Sequence, residues 1–236
     1  IDVLPDYSFP VLAWHSQGDF LSVFYEFKGQ MNWLIYNVRT KEKIKTKLFQ
    51  IEKILEANYS ASGNKIVLSA VANGKTDIFV LDTRSRAREQ ITDDFYDNRA
   101  PVFLNNDQLI VFSSNRENDS MLIHGSENLV YKHSTDIFSY NYAKKTNFKY
   151  SPQVLFRLTN TPSFNEEKPI STGWNTIQYL SDQNGIINQW EAKIDSGVAF
   201  IDTIVHYRYY TKNRPLTNYN SSILYHSTNG NQITRI

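Results

Sequence analysis

Few residues in this chain have the types and spacing that catalysis requires. His15 and Ser16 stand side by side, the pairing from which a base-activated nucleophile is built. Asp93, Asp94 and Asp97 crowd into "TDDFYDN", Thr92 to Asn98, enough carboxylates for calcium binding or acid–base work. Arg116 lies in "IVFSSNREND", Ile110 to Asp119, where an apolar run breaks into a polar cluster carrying one cation. His124, His133, His206 and His226 are scattered without metal-ligand spacing, which assigns them to strands and turns. No Gly-x-Ser-x-Gly elbow, His-Glu-x-x-His motif, Walker loop or dinucleotide fingerprint occurs. Asn58, Asn118 and Asn220 open Asn-x-Ser sequons, which arise by chance in so Asn-rich a chain.

The bulk properties narrow the classes further. With 25 basic and 24 acidic residues the formal charge is +1, so no net field draws nucleic acid or an anionic membrane, and any electrostatic recognition must come from local patches. Zero cysteines exclude disulfides, thiol catalysis and cysteine-bound zinc, and are compatible with cytosol or periplasm. The longest apolar stretch, Ile66 to Ala72, is far short of a membrane helix, and no signal peptide opens the chain. An isoleucine at residue 1 reads as a processed protein or a piece of something longer.

The elements that must position these side chains are short alternating runs of Val, Ile, Phe, Tyr and Trp, cut by Asn, Asp, Gly and Ser turns. Lys41 to Leu55 carries a helix-like stripe at Ile44, Leu48, Ile51 and Leu55, but the neighbouring repeats favour two strands and a turn there. "LAWHSQGDFLSVFY" (Leu12 to Tyr25), "ANYSASGNKIVLSA" (Ala57 to Ala70) and "PVFLNNDQLIVFSS" (Pro101 to Ser114) share one plan of strand, tight turn and strand. A further strand follows in each unit: "NWLIYNV" (from Asn32), "DIFVLD" (from Asp77), "DIFSYN" (from Asp136) and "NQWEAKID" (Asn188 to Asp195). Units close on "QIT", "RLT" and "PLT", ending at Thr92, Thr159 and Thr217. The period of about 45 residues is that of four-stranded propeller blades. The expected architecture is one all-β propeller domain over residues 1–236, with antiparallel units at about 9–55, 56–97, 98–160 and 161–217 and part of a fifth at 218–236. "SSILYHS" (Ser221 to Ser227) is its expected opening strand, and "IDVL" (Ile1 to Leu4) could complete the last blade.

Trp14, Ser16, Gly18 and Asp19, the run Phe112 to Arg116, the Asp-Ile-Phe triplets at Asp77 and Asp136, and the terminal Leu-Thr together resemble TolB-like propeller repeats. The resemblance covers roughly residues 9–227, and its weight comes from recurrence. Gln17 stands where the family usually has Asp, Asn106-Asp107 replaces Asp-Gly, and Ser181-Asp182 replaces Ser-Asn. The family has a serine without catalytic duty at the His15-Ser16 position, and the aspartates after Thr92 fall on a solvated loop between blades. Trp14, Arg116, Asp77 and Asp136 are expected as structural residues, with Arg116 folding back to Asp136 to tie a hairpin by a charge-assisted bond.

Two surfaces are candidate partner contacts. The turns between third and fourth strands, "RTKEKIKTK", "RSRAR" and "AKKTNFK", are basic, whereas the loops between blades are acidic or neutral. Lys43, Arg86 and Lys144 would then mark a basic rim on one face. An insertion in the third unit, Asn118 to Thr135, carries Met121, Leu122, Ile123 and Tyr131 on an extended hairpin. The resemblance implies a non-enzymatic scaffold without cofactor, metal, nucleic acid or small-molecule substrate, binding other proteins in the periplasm or at the outer membrane, as an accessory subunit of an outer-membrane or secretion complex. The alternative is the gating propeller of a serine peptidase of the prolyl-oligopeptidase or tricorn type, with its catalytic domain outside these residues.

Overall fold

The computed structural model describes residues 9–117, 119, 131–143, 155–203, 205–229 and 232–236. Ile1 to Leu4, Met121, Leu122, Ile123 and Lys144 lie outside the described residues. Among the described residues there is no helix, and four sheets each hold four antiparallel strands in sequence order. The first sheet comprises β1 (Val11–Trp14), β2 (Phe20–Phe27), β3 (Gln30–Asn37) and β4 (Lys43–Lys47). The second comprises β5 (Lys53–Tyr59), β6 (Lys65–Ala72), β7 (Lys75–Asp82) and β8 (Arg88–Gln90). The third has β9 (Asn98–Leu104), β10 (Leu109–Arg116), β11 (Tyr131–Asn141) and β12 (Leu155–Arg157). The fourth has β13 (Glu166–Gly173), β14 (Thr176–Ser181), β15 (Asn188–Ile201) and β16 (Val205–Pro215), and a hairpin of β17 (His226–Asn229) and β18 (Gln232–Arg235) follows.

Local chemistry sets the turns. The β2–β3 and β6–β7 hairpins turn on Lys28-Gly29 and Asn73-Gly74, all four with φ between 52° and 72°, as a primed two-residue turn requires. Gly18 and Gly63 take φ 74° and 72° in the turns after β1 and β5. In the third sheet Asn105, Asn106 and Asp107 adopt positive φ without glycine, which short polar side chains tolerate, so the Asn-Asp departure preserves the turn. At the ends of β3 and β7, Asn37 Oδ1 accepts from the Arg39 and Thr40 amides at 2.9 and 3.0 Å, and Asp82 Oδ1 from Arg84 and Ser85 at 3.0 and 2.7 Å. The helix-like stripe over Lys41 to Leu55 is β4, a loop and the start of β5, as the repeats required.

Consecutive sheets stack face to face. Their first strands, β1, β5, β9, β13 and β17, adjoin in that order around an axis, with second to fourth strands fanning outward. The stack is an open arc, for among the described residues no sheet joins β18 to β1. Three apolar clusters fill the junctions between sheets one and two, two and three, and three and four. The second sheet is covered on both faces: Ile66, Leu68, Phe79 and Leu81 pack toward the first sheet, and Val67, Ile78 and Val80 toward the third. This is why "IVLSAVA" is apolar but for Ser69, whereas β2 alternates between buried Ser22 and Phe24 and half-buried Leu21, Val23 and Tyr25. The strand expected over Ser221 to Ser227 starts late, at His226, and Tyr225 and Ile236 exchange backbone hydrogen bonds at the open end of its hairpin with β18.

Candidate functional site

The first strands surround an axial pocket of about 470 Å3. Leu12 and Trp14 of β1, Glu56 and Tyr59 of β5, Ala100 of β9, Lys168 and Ile170 of β13, and Tyr225 line it. Bulges interrupt β5, β9 and β13, and Ala100 and Lys168 sit in the left-handed region at φ 50° and 51°, bending the inner strands along the pocket wall. Charges on the wall already have partners. Glu56 accepts from Arg99 Nη2 at 2.8 Å and from Ser69 Oγ, and Lys168 Nζ donates to the Leu224 carbonyl at 2.8 Å. His226, also on the wall, is bound through both ring nitrogens, to Gln189 Nε2 at 2.9 Å and the Lys168 carbonyl at 2.6 Å. Burial holds its pKa below the usual histidine value, so it is neutral at pH 7 and ties the last hairpin to β13.

Away from the axis, one polar device recurs at successive junctions. The first residue of the Asp-Ile-Phe triplet meets the threonine that closes the unit. Thr92 Oγ1 donates to Asp77 Oδ1 at 2.8 Å while accepting from the Ile78 amide at 2.9 Å. Thr159 does the same between Asp136 at 3.4 Å and the Ile137 amide at 2.8 Å, and Thr217 between Asn188 and the Gln189 amide, both at 2.9 Å. The amide two residues after each threonine, of Asp94, Thr161 and Tyr219, also points at this acceptor. The loop leaving each sheet is thereby fixed toward the next one.

Arg116 belongs to this device. It is fully buried, so it is not a solvated arginine; Nη2 donates at 2.8 Å to Asp94 Oδ2 and at 2.8 Å to Asn98 Oδ1. Asn98 in turn donates to Asp94 Oδ1 at 2.9 Å and accepts from Ser114 Oγ at 2.9 Å. The guanidinium also lies 5.3 Å from the ring centroid of Tyr96. Asp136, opposite Ser114 in the β10–β11 register, pairs with Arg157 Nη1. Thus Asp94, expected on a solvated loop, is a buried counter-ion, and Arg157 is a second clasp cation that the repeat pattern did not single out. Burial pushes the Asp77 carboxyl up to about 6, with Thr92 opposing. In the next junction burial, with Asp136 adding repulsion, pushes Glu166 up to about 7. Glu166 Oε2 has no donor from the protein, and beside the Asp136 carboxylate it gains a bond only when one of the acids carries a proton.

The other singled-out residues are dispersed. His15 packs edge-on against Phe20 and Tyr59, at centroid distances of 5.6 and 5.1 Å, a packing role with Ser16 in the following turn. Trp14 ends β1 with its ring largely exposed. Lys43 opens β4 beside Tyr36, and Arg86, in the corresponding turn of the next sheet, lays its guanidinium 4.8 Å over the buried Trp33 ring. Tyr131 opens β11, longer than the strand expected from Asp136. The repeats also ended the third strand of the fourth unit at Asp195, yet β15 and β16 run on as a two-stranded arm beyond the end of β14, exposing Val198, Phe200, Ile201, Tyr209 and Tyr210. The alternation through "GVAFIDTIVHYRYY" (Gly197 to Tyr210) carried that signal.

No family model matches this chain, and no curated protein matches its sequence. Solved structures do resemble it in fold. TolB from Acinetobacter baumannii superposes over 78% of this chain and 40% of its own, with TM-score 0.55 at 14% identity. A structure described as putative TolB from Agrobacterium tumefaciens matches 78% of this chain and 57% of its own, again with TM-score 0.55 and 14% identity. Prolyl oligopeptidase B from Galerina marginata matches 79% of this chain and 25% of its own, with TM-score 0.56 at 8% identity. The fold is a TolB-like propeller, and this chain spans 40% and 57% of the two TolB chains it matches.

Proposed function

We propose that this chain is a non-catalytic propeller scaffold that binds other proteins in the Gram-negative envelope, as an accessory subunit of an outer-membrane or secretion assembly. One observation carries the reading: buried Arg116 is committed to a clasp between the second and third sheets and Arg157 to an ion pair within the third, while exposed apolar side chains collect on the projecting β15–β16 arm, at Val198, Phe200 and Ile201. Such a distribution suits contact with a macromolecule rather than chemistry on a small one. The periplasm or the outer membrane is the proposed location, and the basic turns at Lys43 and Lys144 and the apolar residues Met121, Leu122, Ile123 and Tyr131 remain further proposed contacts.

The test is affinity purification of the full-length protein from envelope fractions, compared with a Phe200→Asp, Ile201→Asp variant. A stoichiometric partner retained by the parent and lost by the variant is expected; identical recovery by both rejects the arm as the contact. The fold likeness to prolyl oligopeptidase B supports a second reading, a propeller that gates a peptidase. Peptide hydrolysis by a full-length protein carrying an α/β-hydrolase segment would establish that reading in place of the scaffold.

A further inference from the structure

A buried hydrogen-bond relay links the last hairpin to the fourth sheet. Among the described residues β17 and β18 pair only with each other, with no ladder to β13. The segment before the hairpin is anchored separately: the Ile223 amide donates to the Ile187 carbonyl at 2.9 Å, and Lys168 Nζ holds the Leu224 carbonyl. Past that anchor the relay runs from Arg235 of β18 through Gln189 of β15 and His226 of β17 to the backbone of Lys168 in β13. Gln189 is fully buried and His226 nearly so.

The two ends of the relay dictate every donor and acceptor within it. Arg235 Nε can only donate, and it lies 2.5 Å from Gln189 Oε1, so that oxygen accepts and Gln189 Nε2 is left to donate at 2.9 Å to His226 Nδ1. At the other end the Lys168 carbonyl can only accept, so His226 Nε2, 2.6 Å away, carries the proton. The relay is therefore complete for one species alone, the neutral imidazole protonated on Nε2. A proton added at Nδ1 meets the Gln189 NH2 group. If the amide turns over to offer its oxygen to the imidazolium, it presents NH2 to Arg235 and that link is lost instead. Either way one bond at a buried amide fails.

We propose that the β17–β18 hairpin is an acid-released wall of the axial pocket: protonation of His226 breaks the relay, and the hairpin parts from β13 beyond its anchor at Ile223. His226, Ser227 and Thr228 line that pocket beside Lys168 and Ile170, so release opens it between β13 and β17. The charged groups facing His226 are the cations Lys168 and Arg235, and among the described residues no carboxylate bonds to its ring. Glu191, two residues from Gln189 along β15, is taken by Arg214 at 2.7 Å, Glu167 of β13 acts on Arg99, and the neighbouring Tyr225 is exposed. Burial, then the two cations, hold the His226 pKa below its ordinary 6.5, so the relay is complete above that value and is lost as pH falls below it. The device is independent of whether the β15–β16 arm binds a protein.

The experiment is amide hydrogen exchange on the full-length protein at about pH 7.5 and about pH 5, corrected for the intrinsic rate, with the β6 and β7 amides as internal reference. Exchange in β17 and β18 is expected to rise by about tenfold or more at the lower pH while β6 and β7 keep their protection. Gln189→Glu supplies a carboxylate that accepts from the imidazolium and from Arg235 together, so its hairpin should stay protected at both pH values. His226→Gln, with nothing to protonate at that position, should show one level of exchange at both. Nitrogen NMR of the imidazole should place the proton of the neutral form on Nε2. A parent hairpin equally protected at both pH values, an acid release that either variant retains, a loss shared equally by β6 and β7, or a neutral form protonated on Nδ1 would overturn the proposal.

Discussion

The first junction and the second are built from different materials. Between sheets one and two the core is apolar, and its polar atoms form a short network without an ion pair: Trp33 Nε1 donates to Ser22 Oγ at 2.9 Å, and Ser22 Oγ shares a 2.7 Å bond with the Tyr59 hydroxyl. Between sheets two and three a buried Arg116–Asp94 pair joins Asp77, Thr92, Asn98 and Ser114 in one connected network. The difference traces to two positions. Where the second sheet has Asp77 and Thr92, the first has Asn32 and Lys47, which stay paired across the β3–β4 ladder, so β4 continues past the point where β8 ends and its loop turns back. Two sheets can therefore stack on an apolar face with a neutral hydrogen-bond network and Arg86 laid on the Trp33 ring, without a buried ion pair. The buried ions add a fixed path for the connecting loop, at a desolvation cost that makes the second junction sensitive to charge and proton binding.

The sharpest way to break this contrast is to remove the cation. Arg116→Met strands Asp94 in a buried site and should lower stability by about 3–5 kcal/mol, read from the urea midpoint. A loss under about 1 kcal/mol, the scale of an exposed pair, would show that the ionic junction is no more demanding than the apolar one.

Proton binding gives the next largest effect. Asp77, raised from 3.8 to about 6, and Glu166, raised from 4.5 to about 7, hold their protons more tightly folded than unfolded. Their contribution is complete below the unfolded pKa values and is lost as pH rises through about 6 and about 7. At about 1.4 kcal/mol per pKa unit, each accounts for a decline on the order of 3 kcal/mol between pH 4 and pH 8. Asp82, held low by the Ser85 amide and hydroxyl, works in the opposite direction at more acid pH. Asp77→Asn should flatten the decline above pH 5 while keeping the Thr92 bond, since Asn188 already fills this position against Thr217 in the fourth sheet. An unchanged pH profile in that variant would remove Asp77 from the account.

The smallest effect belongs to the first junction. Tyr59→Phe deletes one hydroxyl from the neutral network and should cost about 1 kcal/mol. That cost should be the same at pH 5 and pH 8, and a strongly pH-dependent one would erase the distinction between the junctions.

The stacked-sheet plan was legible because it rests on local rules. Apolar alternation, Asn73-Gly74 and the glycines at 18 and 63 specify strands and turns within a few residues of themselves. The recurring Asp-Ile-Phe and Leu-Thr were visible as motifs, but their contact was not, because it closes over 15 residues between Asp77 and Thr92. The Asp94 partner of Arg116 lay hidden for a similar reason: three aspartates in six residues look solvated, and only stacking shows which of them is enclosed. The β15–β16 arm was missed because a repeat template ends each strand at the length of its neighbours.

The position of the clasps also dictates an order of events at the ribosome. Each one is made by the third strand of a sheet and the loop that leaves its fourth, and at the second junction it is completed by Asn98 and Arg116 of the following sheet. Asp94 therefore emerges from the exit tunnel 22 residues ahead of the cation that neutralises it. A nascent chain stalled in that interval holds a first junction able to settle and a second that must stay open to water, so the growing arc is sealed by its newest member.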